Sequence, residues 1–115
     1  MSLVVIAILA AGGLARVEAD DAPAGDAARG RETYRTFGCW QCHGTTGAGG
    51  GWQGPKLAPN PIPFAGVLIQ LRTPRATMPQ YPENLLSDRD VADLYAFLRS
   101  IPQGRGAEEI EILKR

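Results

Sequence analysis

The sequence predicts an all-α protein, and three observations carry that expectation. Three segments repeat apolar residues at three- and four-residue steps, the period of one helix face. No segment shows a convincing strand alternation. The stretch from 44 to 63 holds six Gly and four Pro, so it reads as one long loop between helices.

The first helix begins at Asp26, whose carboxylate can accept from the free amides of a first turn. Ala27, Gly30, Tyr34 and Phe37 form its apolar face, and Gly38 ends it. A glycine on a buried face weakens a helix unless another backbone crosses closely there. The second face is Phe64, Val67, Leu68 and Leu71, closed by Thr73-Pro74. Residues 74–82 hold three prolines and are extended or turning. The third helix spans Ser87 to Ser100, with Ser87 and Asp90 placed as a capping box in which Asp stands for the usual Glu. Val91, Leu94, Tyr95, Leu98 and Ile101 form its apolar face, with Phe97 beside it, and Pro102 stops it. The charged tail, 103–115, includes AEEIEILKR, a candidate short helix.

Composition narrows the function. The 115 residues make one small domain. Twelve basic and twelve acidic side chains cancel, so no basic excess points to nucleic acid. One His and two Cys cannot supply both a Ser-His-Asp set and a metal cage.

Residues 3–15, LVVIAILAAGGLA, are too few to span a bilayer, which takes about 20 apolar residues. They suit the apolar core of a secretory signal peptide, although no Lys or Arg precedes them. Val17 and Ala19 make a small-x-small site, which places cleavage after Ala19. Residues 20–25 then form a flexible leader. The expected location is periplasmic by export, or membrane-anchored if the segment is retained.

The chemistry centres on Cys39-Trp40-Gln41-Cys42-His43. Two thiols three positions apart can each add across one vinyl group of a haem, and the adjacent imidazole then reaches the iron from the same side. Three other readings compete. A thioredoxin-like redox pair wants a strand before it and a βαβ unit around it. A structural zinc site wants four ligands. A disulfide within so short a loop stabilises little.

Apart from Met1 the chain has one methionine, Met78, in a proline-flanked segment. A lone Met is ordinarily core filler. With a haem held by His43 and no second His in the chain, Met78 becomes the candidate for the other axial position. Met ligation raises the reduction potential in cytochromes c.

Over residues 26–102 the chain resembles the class I c-type cytochromes, in the form of the short bacterial monohaem members. Gly30 and Tyr34 are similar to the family's first helix, and Cys39, Cys42 and His43 to its haem motif. Asp93-Leu94-Tyr95-Ala96-Phe97-Leu98 is similar to its last helix. The resemblance implies a cytochrome c fold, with three main helices and long loops around one covalent haem c. It implies attachment through Cys39 and Cys42, with His43 and Met78 as axial ligands. In Gly54-Pro55-Lys56-Leu57 it implies that the Pro55 carbonyl accepts from the proximal imidazole. The segment between Pro55 and Met78 is shorter than in the mitochondrial type, and the tail after Pro102 has no counterpart.

Iron filled at both axial positions can change only by one electron, so the expected function is a one-electron carrier and not an enzyme. The alternative is a haem c subunit of a larger periplasmic oxidoreductase complex. A third reading, a haem catalyst or gas sensor, requires Met78 to be off the iron. Expected partners are a redox donor and acceptor, such as a dehydrogenase, an oxidase or a respiratory complex. Membrane contact is expected only if the N-terminal segment is retained.

Overall fold

The structure, a computed structural model, describes residues 22–49 and 54–114. The expected signal segment, its cleavage site and the first leader residues lie outside the described residues. Those described contain four α-helices and no strand: α1 (Ala27–Thr36), α2 (Trp40–His43), α3 (Phe64–Arg72) and α4 (Asp88–Ser100). None of these helices is long and apolar enough to cross a membrane.

The two longest helices start where their side chains can satisfy free amides. The Asp26 carboxylate accepts from the N–H groups of Ala28 and Arg29, each at 2.9 Å. Ser87 and Asp90 close a reciprocal capping box at the start of α4, with the Ser87 N–H 3.0 Å from Asp90 Oδ2 and the Asp90 N–H 3.2 Å from Ser87 Oγ. One such cap contributes about 1 kcal/mol. Gly38, at φ 71°, reverses the chain after α1, a turn that L side chains resist.

Helix α4 is the shared wall of two apolar clusters. Leu94, Phe97 and Leu98 pack with Tyr34 of α1 and with Ala58. Val91, Ala92 and Tyr95 pack with Phe64 and Leu71 of α3 and with Leu86. One aromatic pair joins each neighbour to α4. The Tyr34 and Phe97 rings lie 5.4 Å apart, and those of Phe64 and Tyr95 meet edge to face at 5.5 Å.

The backbones of α1 and α4 touch. A Cβ at Gly30 would sit on the Asp93 carbonyl and 2.8 Å from the Leu94 amide nitrogen. Gly25, just before the helix, lies equally close to the Ala92 carbonyl. An ion pair locks the crossing. Asp93, 3% exposed, accepts from Arg29 Nε at 2.7 Å, from a second Arg29 nitrogen at 3.0 Å and from the Asp26 N–H at 2.6 Å. These bonds favour the charged carboxylate, so Arg29, then the Asp26 amide, holds Asp93 below the usual carboxylate range.

The tail differs from expectation. In place of a short helix it makes two single 3-10 turns, Ala107–Glu109 and Glu111–Leu113. Ile112 and Leu113 stay exposed. A segment this short is marginal as an isolated helix, and here no packed face supports it.

Two outcomes follow from the crossing. Gly30→Ala should lower the denaturant midpoint of the protein. Overpacking costs about 1–3 kcal/mol, more than the up to about 1 kcal/mol that Ala gains over Gly in a helix interior. A midpoint at or above wild type would rule out a rigid close crossing. The carboxylate gives a pH signature. Because the folded-state pKa of Asp93 is lowered, its stabilisation is present above the unfolded value of about 4 and is lost as pH falls through the folded value. The midpoint gap between wild type and Asp93→Asn should therefore be largest near neutral pH and close on acidification. A gap that does not vary with pH would contradict the ion-pair account.

Candidate functional site

The site begins where α1 ends. After the reversal at Gly38, residues 40–43 make the single turn of α2, which periodicity alone did not predict. The His43 N–H donates to the Cys39 carbonyl at 3.0 Å. In this turn Cys39 and Cys42 are three apart, and Cys39 and His43 four apart, so the three side chains share one side of the helix. Gly44, at φ 81°, ends the turn directly after His43.

A short loop then returns toward the imidazole. The Gly49 N–H donates to the His43 carbonyl at 3.1 Å. The Gly47 carbonyl accepts from the N–H groups of Leu57 and Ala58, at 2.7 and 2.8 Å. Tyr34 donates its hydroxyl to the Gly44 carbonyl at 2.6 Å, tying the loop to α1. Burial pushes the Tyr34 phenol well above its ordinary pKa, so it remains a donor.

This arrangement puts the Pro55 carbonyl oxygen 2.8 Å from His43 Nδ1. The carbonyl can only accept, so Nδ1 carries a hydrogen, and in the neutral tautomer this bond selects, the lone pair is on Nε2. The ring is 8% exposed. Gly54 permits the approach: a Cβ there would stand 2.6 Å from the Cys42 carbonyl oxygen and 2.9 Å from His43 Nδ1. In the sequence Gly54 is only the neighbour of Pro55; the steric demand on it comes from residues 42 and 43.

Neither cysteine is in a disulfide, and both are partly buried. Burial pushes the Cys39 thiol up to about 11. That is the opposite of a redox-active C-x-x-C, whose nucleophile has a lowered pKa. Among the described residues no three His, Cys, Asp or Glu side chains converge to hold a metal ion, and a closed zinc site needs four ligands. The donor set is therefore two thiols and one imidazole nitrogen. That set fits a haem c, which takes two thioether bonds and one nitrogen ligand.

Met78 comes from a different segment, the loop that follows α3. It packs, half-buried, against the cluster that α3 and α4 share, together with Val67, Leu68, Tyr81 and Phe37. Cys39 packs against the other cluster. Tyr81 makes two of the bonds that tie the Met78 loop to the rest. The Tyr81 hydroxyl donates to the Phe37 carbonyl at 3.2 Å, and the Tyr81 N–H to the Leu71 carbonyl at 2.9 Å. Ala76, at φ 58°, bends the loop two residues before Met78, a strained conformation for a residue with a Cβ. A Tyr between prolines has no sequence signature for the long-range hydrogen bond that Tyr81 makes.

Gly54→Ala should destabilise the protein by about 1–3 kcal/mol, because its Cβ would meet backbone and a fixed ring. Gly66→Ala is the matched control. Its Cβ would meet only the Ile62 side chain end, at 3.2 Å, and lies within α3, where Ala is favoured over Gly by up to about 1 kcal/mol. Paired denaturant titrations test the contrast, and equal midpoints would refute the close approach at Gly54.

No curated protein and no solved structure matches this chain. A family profile does: cytochrome c oxidase, cbb3-type, subunit III, over residues 25–98. The matched span takes in the Cys39-to-His43 turn, Pro55, Met78 and most of α4. With well over half of its length inside that match, the chain belongs to the cbb3-type cytochrome c oxidase subunit III family.

Proposed function

We propose that this protein is the haem c electron-transfer subunit of a respiratory oxidase complex, with the haem held through Cys39 and Cys42. The family is one of electron-carrying oxidase subunits, so the role is electron transfer within a larger complex and not catalysis. It favours the subunit reading over the free one-electron carrier. The monohaem class I fold, periplasmic location and His/Met ligation belong to the proposal.

The observation that carries it is the bond between His43 Nδ1 and the Pro55 carbonyl, at 2.8 Å. It sets the tautomer and turns of the ring, leaves Nε2 as the coordinating atom and makes the imidazole a stronger donor. When bound, haem c supplies one Fe(III)/Fe(II) couple. Cys39 and Cys42 would hold it covalently through thioether bonds to its two vinyl groups. Met78 would supply a second protein ligand to the iron, a thioether that favours Fe(II). Half-buried Phe37, Leu57, Val67, Leu68 and Tyr81 offer apolar surface that such a group would cover. With His43 and Met78 both holding the iron, substrate would have no access to it, and electrons would pass to and from neighbouring subunits.

Expression with working haem maturation tests the proposal. The polypeptide should keep haem-peroxidase colour through denaturing electrophoresis, and Cys39→Ala/Cys42→Ala should lose it. His43→Ala should fail to accumulate holoprotein. Met78→Ala should keep the covalent haem, bind carbon monoxide or cyanide more readily and show a lower potential. A colourless wild-type band would refute haem attachment, and unchanged ligand binding in Met78→Ala would refute the axial role of Met78. Membrane solubilisation followed by size separation tests the assembly: the haem should travel with oxidase activity, not alone.

A further inference from the structure

Gln70 sits on α3, and its Nε2 amide donates to Met78 Sδ at 3.4 Å. The other bonds between α3 and this loop end on backbone carbonyls. Arg72 donates to the Tyr81 carbonyl at 2.7 Å, Gln80 Nε2 to the Arg72 carbonyl at 2.7 Å and the Tyr81 N–H to the Leu71 carbonyl at 2.9 Å. Those three define the path of the loop from Leu71 to Tyr81. The Gln70 bond differs in kind, because its acceptor is a thioether.

A thioether is a weak acceptor, so this bond adds little to the hold on the loop. Its consequence falls on the sulfur. Sulfur has two lone pairs, and an N–H directed at one leaves the other to point elsewhere. Hydrogen bonding also draws electron density from the sulfur. A sulfur so depleted donates less to a cation, and the loss matters more for Fe(III) than for Fe(II).

We propose that Gln70 is a positioning residue for Met78: its amide occupies one sulfur lone pair, presents the other to the haem iron and raises the potential of the couple. This rests on Met78 being the axial ligand. The device is local, built from a helix residue and a loop residue eight positions apart.

The test uses the purified holoprotein in four forms: wild type, Gln70→Leu, Gln70→Ala and Gln80→Leu. The two Gln70 variants remove the donor to sulfur and place good helix formers in α3. Gln80→Leu removes a loop-to-helix bond without touching the sulfur. The readouts are the midpoint potential from a spectroelectrochemical titration, the long-wavelength sulfur-to-iron charge-transfer band of the oxidised protein and the rate of cyanide binding. Both Gln70 variants should shift the potential downward, displace the band and bind cyanide faster, while Gln80→Leu stays at the wild-type values. Wild-type potential and band in both Gln70 variants would overturn the proposal. So would equal shifts in all three variants, which would mark loop mobility as the cause. If wild type itself lacks the band and binds cyanide as fast as Met78→Ala, the ligand assignment fails and this proposal with it. A band present in wild type but indifferent to Gln70 defeats only the positioning role.

Discussion

Backbone contact between α1 and α4 is the constraint from which the rest of the arrangement follows. Gly25 and Gly30 lie against the carbonyls of Ala92 and Asp93 with no room for a side chain. At that distance the two helices cannot slide, and the buried Asp93 carboxylate takes three hydrogen bonds from the α1 side. Close packing of this kind is sensitive to a single methyl group, which is why two small residues at the contact outweigh their cost to helix propensity.

The crossing reaches the site through two routes. On one side α1 runs through Gly38 into the turn that carries Cys39, Cys42 and His43, and Tyr34 holds the exit of that turn by its hydroxyl. On the other side α4 shares its apolar face with α3, and α3 anchors the loop that carries Met78. One helix thus supports both groups that the proposed haem would join. Tyr81 closes the circuit by donating from the Met78 loop to Phe37, at the end of α1.

The electrostatics divide by role. The ion pair at Asp93 locks the helices and depends on pH. The groups near the motif are kept uncharged by burial: Cys39, Tyr34 and Tyr81 all have raised pKa values, with desolvation the leading cause. A neutral, partly desolvated surrounding suits the proposed haem, whose charge would change by one electron without proton exchange with these neighbours.

By itself the sequence determined what local chemistry controls. The caps at Asp26 and Ser87, the periodic faces of α1, α3 and α4, the stops at Thr73-Pro74 and Pro102 and the C-x-x-C-H run are all matters of neighbours a few residues apart. The tail was misjudged because a helical pattern without a surface to pack on does not make a helix. Tertiary structure alone decided the contacts between distant segments. That Gly30 meets Asp93, that Arg29 pairs with Asp93, that Gly54 clears the way for Pro55 to reach His43 and that Gln70 bonds the sulfur of Met78 each depend on where another part of the chain arrives. A sequence pattern encodes which face of a helix is apolar. Which atoms then come within hydrogen-bonding or van der Waals reach depends on distances of tenths of an ångström, which only the packed structure sets.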